Sequence, residues 1–114
     1  DRLNTVFRYI QKNYTEQLSN QELAGVIHLS ESRFCHLFKE SMGQSPLNYI
    51  NEVRLQKAYL LLQQKELSVA EVAAVVGFTD YNNFGRLFKK KYGFSPSEVW
   101  ERIGTASTFS GSNT

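Results

Sequence analysis

Glu71-Val72-Ala73-Ala74-Val75-Val76-Gly77-Phe78-Thr79-Asp80-Tyr81-Asn82-Asn83-Phe84-Gly85-Arg86-Leu87-Phe88-Lys89-Lys90-Lys91 decides the fold. It reads as a short apolar helix, a turn at Gly77 and an amphipathic second helix that ends in cations, which is the outline of a helix-turn-helix. With Phe84 set at zero and a step of about 100° per residue, Leu87 and Phe88 share its face. Asn82, Arg86, Lys89 and Lys90 fall between roughly 140° and 240°, on the opposite side. Lys91 falls at about 340°, beside the buried row and apart from the other cations. Thr79 is placed to cap the second helix.

Upstream, Val6, Phe7, Ile10 and Tyr14 make one helical stripe within Asn4 to Tyr14. Ser19 and Glu22 have the spacing of a capping box before Leu23, Ala24, Val26 and Ile27. His28-Leu29 is a turn, and Ser30 caps a helix to about Ser41 with Phe34, Leu37 and Phe38 on one face. Gly43 stops that helix as a left-handed cap. Ser45-Pro46 starts the longest element, because Pro at the first helical position sacrifices no hydrogen bond. It runs to about Gln64 through Leu47, Ile50, Val53, Leu55, Ala58, Leu61 and Leu62. After Lys65-Glu66, Ser68 and Glu71 repeat the capping box. Downstream of Gly93, Ser95-Pro96 announces a short helix through Val99, Trp100 and Ile103, and 104–114 reads as a disordered tail.

The two halves are a duplication. Leu18, Ser19, Glu22, Ala24 and Val26 lie over identical residues at Leu67, Ser68, Glu71, Ala73 and Val75. Beyond the turn the register slips by one residue. Phe34, Leu37, Phe38, Lys39, Gly43, Ser45 and Pro46 then meet Phe84, Leu87, Phe88, Lys89, Gly93, Ser95 and Pro96. The expected fold is therefore all-α, with about seven helices. A first helix-turn-helix subdomain covers 1–45, a linker helix 46–64 and a second subdomain 65–103. The linker, at about 1.5 Å per residue, spans roughly 28 Å. Successive major-groove faces of B-DNA lie about 34 Å apart, so a rod of this order suits two recognition helices one turn apart.

In the first unit the same helical sum turns Ser32, His36, Lys39 and Glu40 outward, with Arg33 and Cys35 on the flanks. Arg donates twice to guanine, Asn pairs with adenine, and Lys offers a point charge to phosphate. Lys39, Lys89 and Lys90 are accordingly phosphate candidates. Ser30 and Thr79 join them, since a helix N-terminus with free amides also attracts phosphate.

The 114 residues suit one domain or two very small ones, and 41% hydrophobic content with eight Phe and six Tyr supports a packed core. No stretch has the form of a signal peptide or membrane span. The single Cys35 excludes an internal disulfide and is compatible with a reducing cytoplasm. A net charge of +2 does not itself argue for nucleic acid. Its distribution does. Residues 1–45 carry five Lys/Arg against five Asp/Glu, whereas 85–92 carry four cations and no acid.

These residues resemble the DNA-binding domain of the AraC/XylS family of bacterial transcription regulators. The similarity runs from about Val6 to Trp100. It is carried by Ala73, Gly77-Phe78, Phe84, Arg86, Phe88-Lys89, Gly93 and Ser95-Pro96, with Arg54-Leu55, Ala58 and Leu61-Leu62 in the long helix. The resemblance implies two helix-turn-helix units that insert both recognition helices into promoter DNA. Carried over by position, it makes Ser32, Arg33 and His36, and Asn82, Asn83 and Arg86, the base-facing residues. It also implies a cytoplasmic protein, RNA polymerase as a further partner, and an effector-binding or dimerising domain. A chain beginning at Asp1 without methionine is then expected to be a C-terminal fragment.

Plainer readings stand beside these. The Arg86 to Lys91 cations also complement a helix dipole. The alternative function is a helical interaction module that contacts RNA polymerase or a regulatory domain. His28 and His36 lack the companions of a metal site, and no metal or cofactor is expected. Cys35 reads as a small filler. Phe34, Phe38, Phe84, Phe88, Tyr92 and Trp100 read as core. No nucleophile with a base at workable spacing and no phosphate loop is present, which argues against an enzyme.

Overall fold

The computed structural model describes residues 2–102, all of them helical or in turns and loops. The expected end of the last helix at Ile103 and the tail 104–114 lie outside the described residues. Among the described residues six α-helices are followed by a 3-10 helix at Pro96–Glu98, and 99–102 are again α-helical. The chain divides into two units between Arg54 and Leu55, within the fourth helix.

The first unit holds α1 (Arg2–Asn13), α2 (Asn20–Val26), α3 (Glu31–Met42) and the start of α4 (Pro46–Gln64). Val6, Ile10, Leu23, Phe34, Phe38, Ile50 and Val53 form its core, with Phe7, Tyr14 and Leu37 packed against it. α1 begins earlier than the stripe suggested and also buries Leu3. α2 packs on both α1 and α3. The turn between α2 and α3 is closed by the Leu29 amide donating to the Ala24 carbonyl at 3.0 Å. His28 sits there at φ 59, a left-handed conformation uncommon for a residue with a Cβ. Ser30 caps α3 by accepting from the Arg33 amide, and Gly43 ends it at φ 72.

At Ser19 only half of the expected capping box forms. The Ser19 hydroxyl accepts from the Glu22 amide at 3.0 Å, but the Glu22 carboxylate takes the Tyr9 hydroxyl of α1 instead of the Ser19 amide. A tertiary donor has displaced the local one. At Ser68 the full box is present, with the Ser68 amide on Glu71 at 2.8 Å and the Glu71 amide on the Ser68 hydroxyl at 3.1 Å. These bonds hold the Glu71 carboxyl below its ordinary range.

The second unit comprises the rest of α4, α5 (Val69–Val75), α6 (Tyr81–Tyr92) and the 3-10 helix. Leu55, Ala58, Leu62, Val72, Ala73, Val76, Phe78, Phe84, Phe88 and Val99 are buried. The α5–α6 turn repeats the first unit's geometry, with Gly77 at φ 106 and the Phe78 amide on the Ala73 carbonyl at 3.0 Å. Glycine takes this conformation without the Cβ clash that His28 meets in the first unit.

Three expectations are corrected here. The cap of α6 is Asp80, not Thr79. The Asp80 carboxylate accepts from the Asn82 and Asn83 amides at 2.9 and 3.2 Å, and a negative acceptor spanning two amides suits a helix N-terminus better than a hydroxyl one residue earlier. Trp100 is not a core residue, being 37% exposed while Val99 is fully buried. Its indole N–H donates to the Leu62 carbonyl in the last turn of α4, taking the second lone pair of an oxygen that also accepts from the Lys65 amide at 3.2 Å. Tyr92 is half-buried rather than enclosed. Lys91 is exposed, its ammonium 5.5 Å from the Tyr92 ring, because its long stem carries the charge off the edge of the buried row.

Candidate nucleic-acid interface

Buried aromatic pairs position both exposed faces. Phe34 and Phe38 of α3, and Phe84 and Phe88 of α6, are 0% exposed. Each pair fixes its helix's rotation about its own axis, so the side chains opposite project into solvent. On α3 these are Ser32, Arg33, His36, Lys39 and Glu40, all exposed. On α6 they are Asn82, Arg86, Lys89 and Lys90, also exposed, with Asn83 half-buried beside them. Ser30 and Thr79 are exposed at the starts of the two helices.

The two faces differ in charge. α6 has no acidic residue from Tyr81 to Tyr92, and Lys89, Lys90 and Lys91 occupy its last turn. The nearest acid, Asp80, is bonded to backbone amides. On α3, Glu40 stands where α6 has Lys90, and its carboxylate lies 3.5 Å from the His36 ring nitrogen. An open groove along α3 is lined by Arg2, Ser32, Arg33, His36 and Glu40 among others. Arg2 comes from α1 and was not among the expected site residues. Only the packing of α1 brings it to α3, and no local pattern signals that.

Structure also joins two expected readers. The Arg86 guanidinium donates through Nη2 to the Asn83 side-chain oxygen, one helical turn away. Cys35 is half-buried, and burial followed by the charge of Glu31 pushes its thiol up, which disfavours the reactive thiolate. Among the described residues no group of three or more His, Cys, Asp or Glu is placed to hold a metal. No helix among them is long and apolar enough to cross a membrane.

Two units of this geometry, each presenting a polar helix face opposite a buried aromatic pair, define a duplicated helix-turn-helix domain. Residues 23–102 match a family model described as a helix-turn-helix domain. The chain belongs to the AraC family of transcription regulators, which are not enzymes. It is 34% identical over 99 residues to the probable transcriptional regulator LumQ of Photobacterium leiognathi, covering 85% of this chain and 40% of that protein. It is 34% identical over 98 residues to the transcriptional activator RhaS of Enterobacter sp. (strain 638), covering 86% and 35%. The chain thus spans well under half the length of these curated relatives.

Among solved structures, a probable AraC family regulator from Rhodopseudomonas palustris CGA009 superposes with a TM-score of 0.82 at 28% identity, covering 89% of this chain and 95% of that one. The DNA-binding domain of the global transcriptional factor AdpA, in complex with a target DNA, gives 0.85 at 26% identity, covering 93% and 96%.

Proposed function

We propose that this domain binds promoter DNA sequence-specifically, with α3 and α6 each entering a major groove. Ser32, Arg33 and His36, and Asn82, Asn83 and Arg86, face the bases. Ser30, Lys39, Thr79, Lys89 and Lys90 face phosphates. The observation that carries this reading is the outward face of α6, where exposed Arg86, Lys89 and Lys90 stand opposite fully buried Phe84 and Phe88. The AdpA complex supports it, as a domain of the same fold bound to DNA. The place of action is then the bacterial cytoplasm, at the nucleoid.

Arg86→Ala is expected to weaken operator binding by about 1–3 kcal/mol and to relax base choice at one position. Lys89→Ala should weaken all sequences alike and reduce the salt slope by about 1. Fluorescence anisotropy titrations across a salt series separate the two effects. Equal affinity for operator and scrambled duplex at moderate salt would sink the reading. In a selection from randomised duplexes, two blocks of base preference about 10 base pairs apart are expected if both units engage.

The acid on α3 makes a further expectation. Glu40→Lys replaces a carboxylate by the cation that α6 carries at the same place, so affinity should rise several-fold at about 0.1 M salt, with a slope steeper by about 1. An unchanged slope would show that this end of α3 lies away from phosphate.

A second reading, a helical surface for RNA polymerase or a regulatory domain, is favoured by Leu60 of α4, 55% exposed. Both readings hold together if polymerase engages α4 while DNA engages α6. DNA that shifts no amide resonance in α6 would leave only the second.

A further inference from the structure

Asn83 and Arg86 occupy one side of α6 at a spacing of three residues, where helical neighbours meet. Their bond runs from Arg86 Nη2 to Asn83 Oδ1, and its chemistry divides the two residues' work. A carboxamide pairs with adenine by accepting from N6–H and donating to N7, which requires its oxygen and its NH2 together along one edge. In Asn83 one of that oxygen's two lone pairs is already taken by Arg86, which ties the amide edge to the guanidinium. Guanidinium carries five N–H donors in a planar fork. Whichever Nη2 hydrogen Asn83 receives, one parallel pair of N–H groups remains for guanine O6 and N7.

Asn83 is also suited to hold rather than to read. It is half-buried while Arg86 is exposed, and its backbone amide is bonded to the Asp80 carboxylate. Its short side chain therefore leaves a well-anchored first turn, whereas Arg86 brings a long, many-rotamer side chain that is costly to order on binding. Arg33 and His36 stand at the same two places in α3. There the pairing differs, with His36 turned to Glu40.

We propose that Asn83, placed on the base-facing side of α6, works there by positioning Arg86 rather than by reading a base itself. α6 reads guanine through an Arg86 guanidinium that Asn83 holds in pose, and Asn82 is its adenine-reading amide. This rests on the DNA-binding reading above. The test compares base-preference profiles and affinities of the unaltered domain with those of Asn83→Ala, Arg86→Ala, the double variant and Asn83→Asp.

Asn83→Ala should flatten preference at the same base pair as Arg86→Ala, with discrimination there reduced about three- to tenfold. The double variant should be no worse than Arg86→Ala alone. Asn83→Asp, which keeps the acceptor, should retain the guanine preference while binding all DNA more weakly. Loss of preference at a different base pair, additive effects in the double variant, or an Asn83→Ala profile like that of the unaltered domain would each overturn the proposal. No preference for operator over scrambled duplex in the unaltered domain would overturn the DNA reading, and this inference with it.

Discussion

Arg54→Met is expected to lower the unfolding free energy by about 3 kcal/mol, since each bond from a charged donor contributes roughly 1.5–3 kcal/mol. Arg54 lies on α4 yet is only 6% exposed. Its Nε donates to the Tyr14 carbonyl and its Nη2 to the Glu16 carbonyl, each at 2.7 Å. Those carbonyls belong to the loop between α1 and α2, where a helix end leaves acceptors without helical partners. Burial draws the Arg54 proton affinity down from its ordinary range, but a guanidinium starts so far above neutrality that it stays charged. Methionine keeps much of the stem's volume, so the loss reports bonds rather than a cavity.

For a domain of this size a deficit of that order corresponds to roughly 10–20 °C in Tm. Arg54→Lys should recover part of it, having the charge but not the fork that reaches two carbonyls. Equilibrium urea unfolding checks both variants. An Arg54→Met domain within about 1 kcal/mol of the unaltered one would show that water satisfies the loop carbonyls equally well.

Arg54 also shows where sequence reasoning stops. An arginine in an apolar helix is visible in the chain, but its acceptors lie 40 and 38 residues away, and no local pattern joins them. What could be read followed local rules. The outward faces of α3 and α6 came from helical period, the start of α4 from Ser45-Pro46, and the ends of α3 and α6 from Gly43 and Gly93. Errors came where two local candidates competed and tertiary structure chose between them. Thr79 and Asp80 both cap helices, and the register in which Phe84 and Phe88 enter the core puts Tyr81 at the first turn. Val99 and Trp100 are both apolar, but Val99 fills the core while Trp100 keeps its N–H within reach of the Leu62 carbonyl at the end of α4. The Asn83–Arg86 bond differs from these, because its spacing was open to view. Treating both as independent readers hid it.

Phe88→Ala should cost about 3–5 kcal/mol, the usual range for removing a fully buried phenyl ring. Phe88 is 0% exposed. Its ring centroid lies 6.1 Å from that of Tyr59 at an interplanar angle of 10°, 4.7 Å from Tyr92, 5.8 Å from Phe84 and 6.2 Å from Phe94. Alanine would leave four aromatic neighbours facing a void that rigid rings fill poorly. Phe88→Leu, which keeps part of the volume, should lose about 1–2 kcal/mol less.

The functional consequence follows from helical geometry. Arg86 and Lys89 are directed outward only because Phe84 and Phe88 are held inward, and a helix free to roll by a fraction of a turn displaces the outward side chains by more than the hydrogen bonds of the proposed base contacts tolerate. Phe88→Ala should therefore weaken operator binding beyond the loss of folded protein, even at low temperature where circular dichroism reports intact helices. Measuring unfolding and operator affinity on the same samples distinguishes the two effects. Affinity that merely tracks the folded fraction would mean that α6 keeps its orientation without its central anchor, and that Phe84 suffices to hold Arg86 outward.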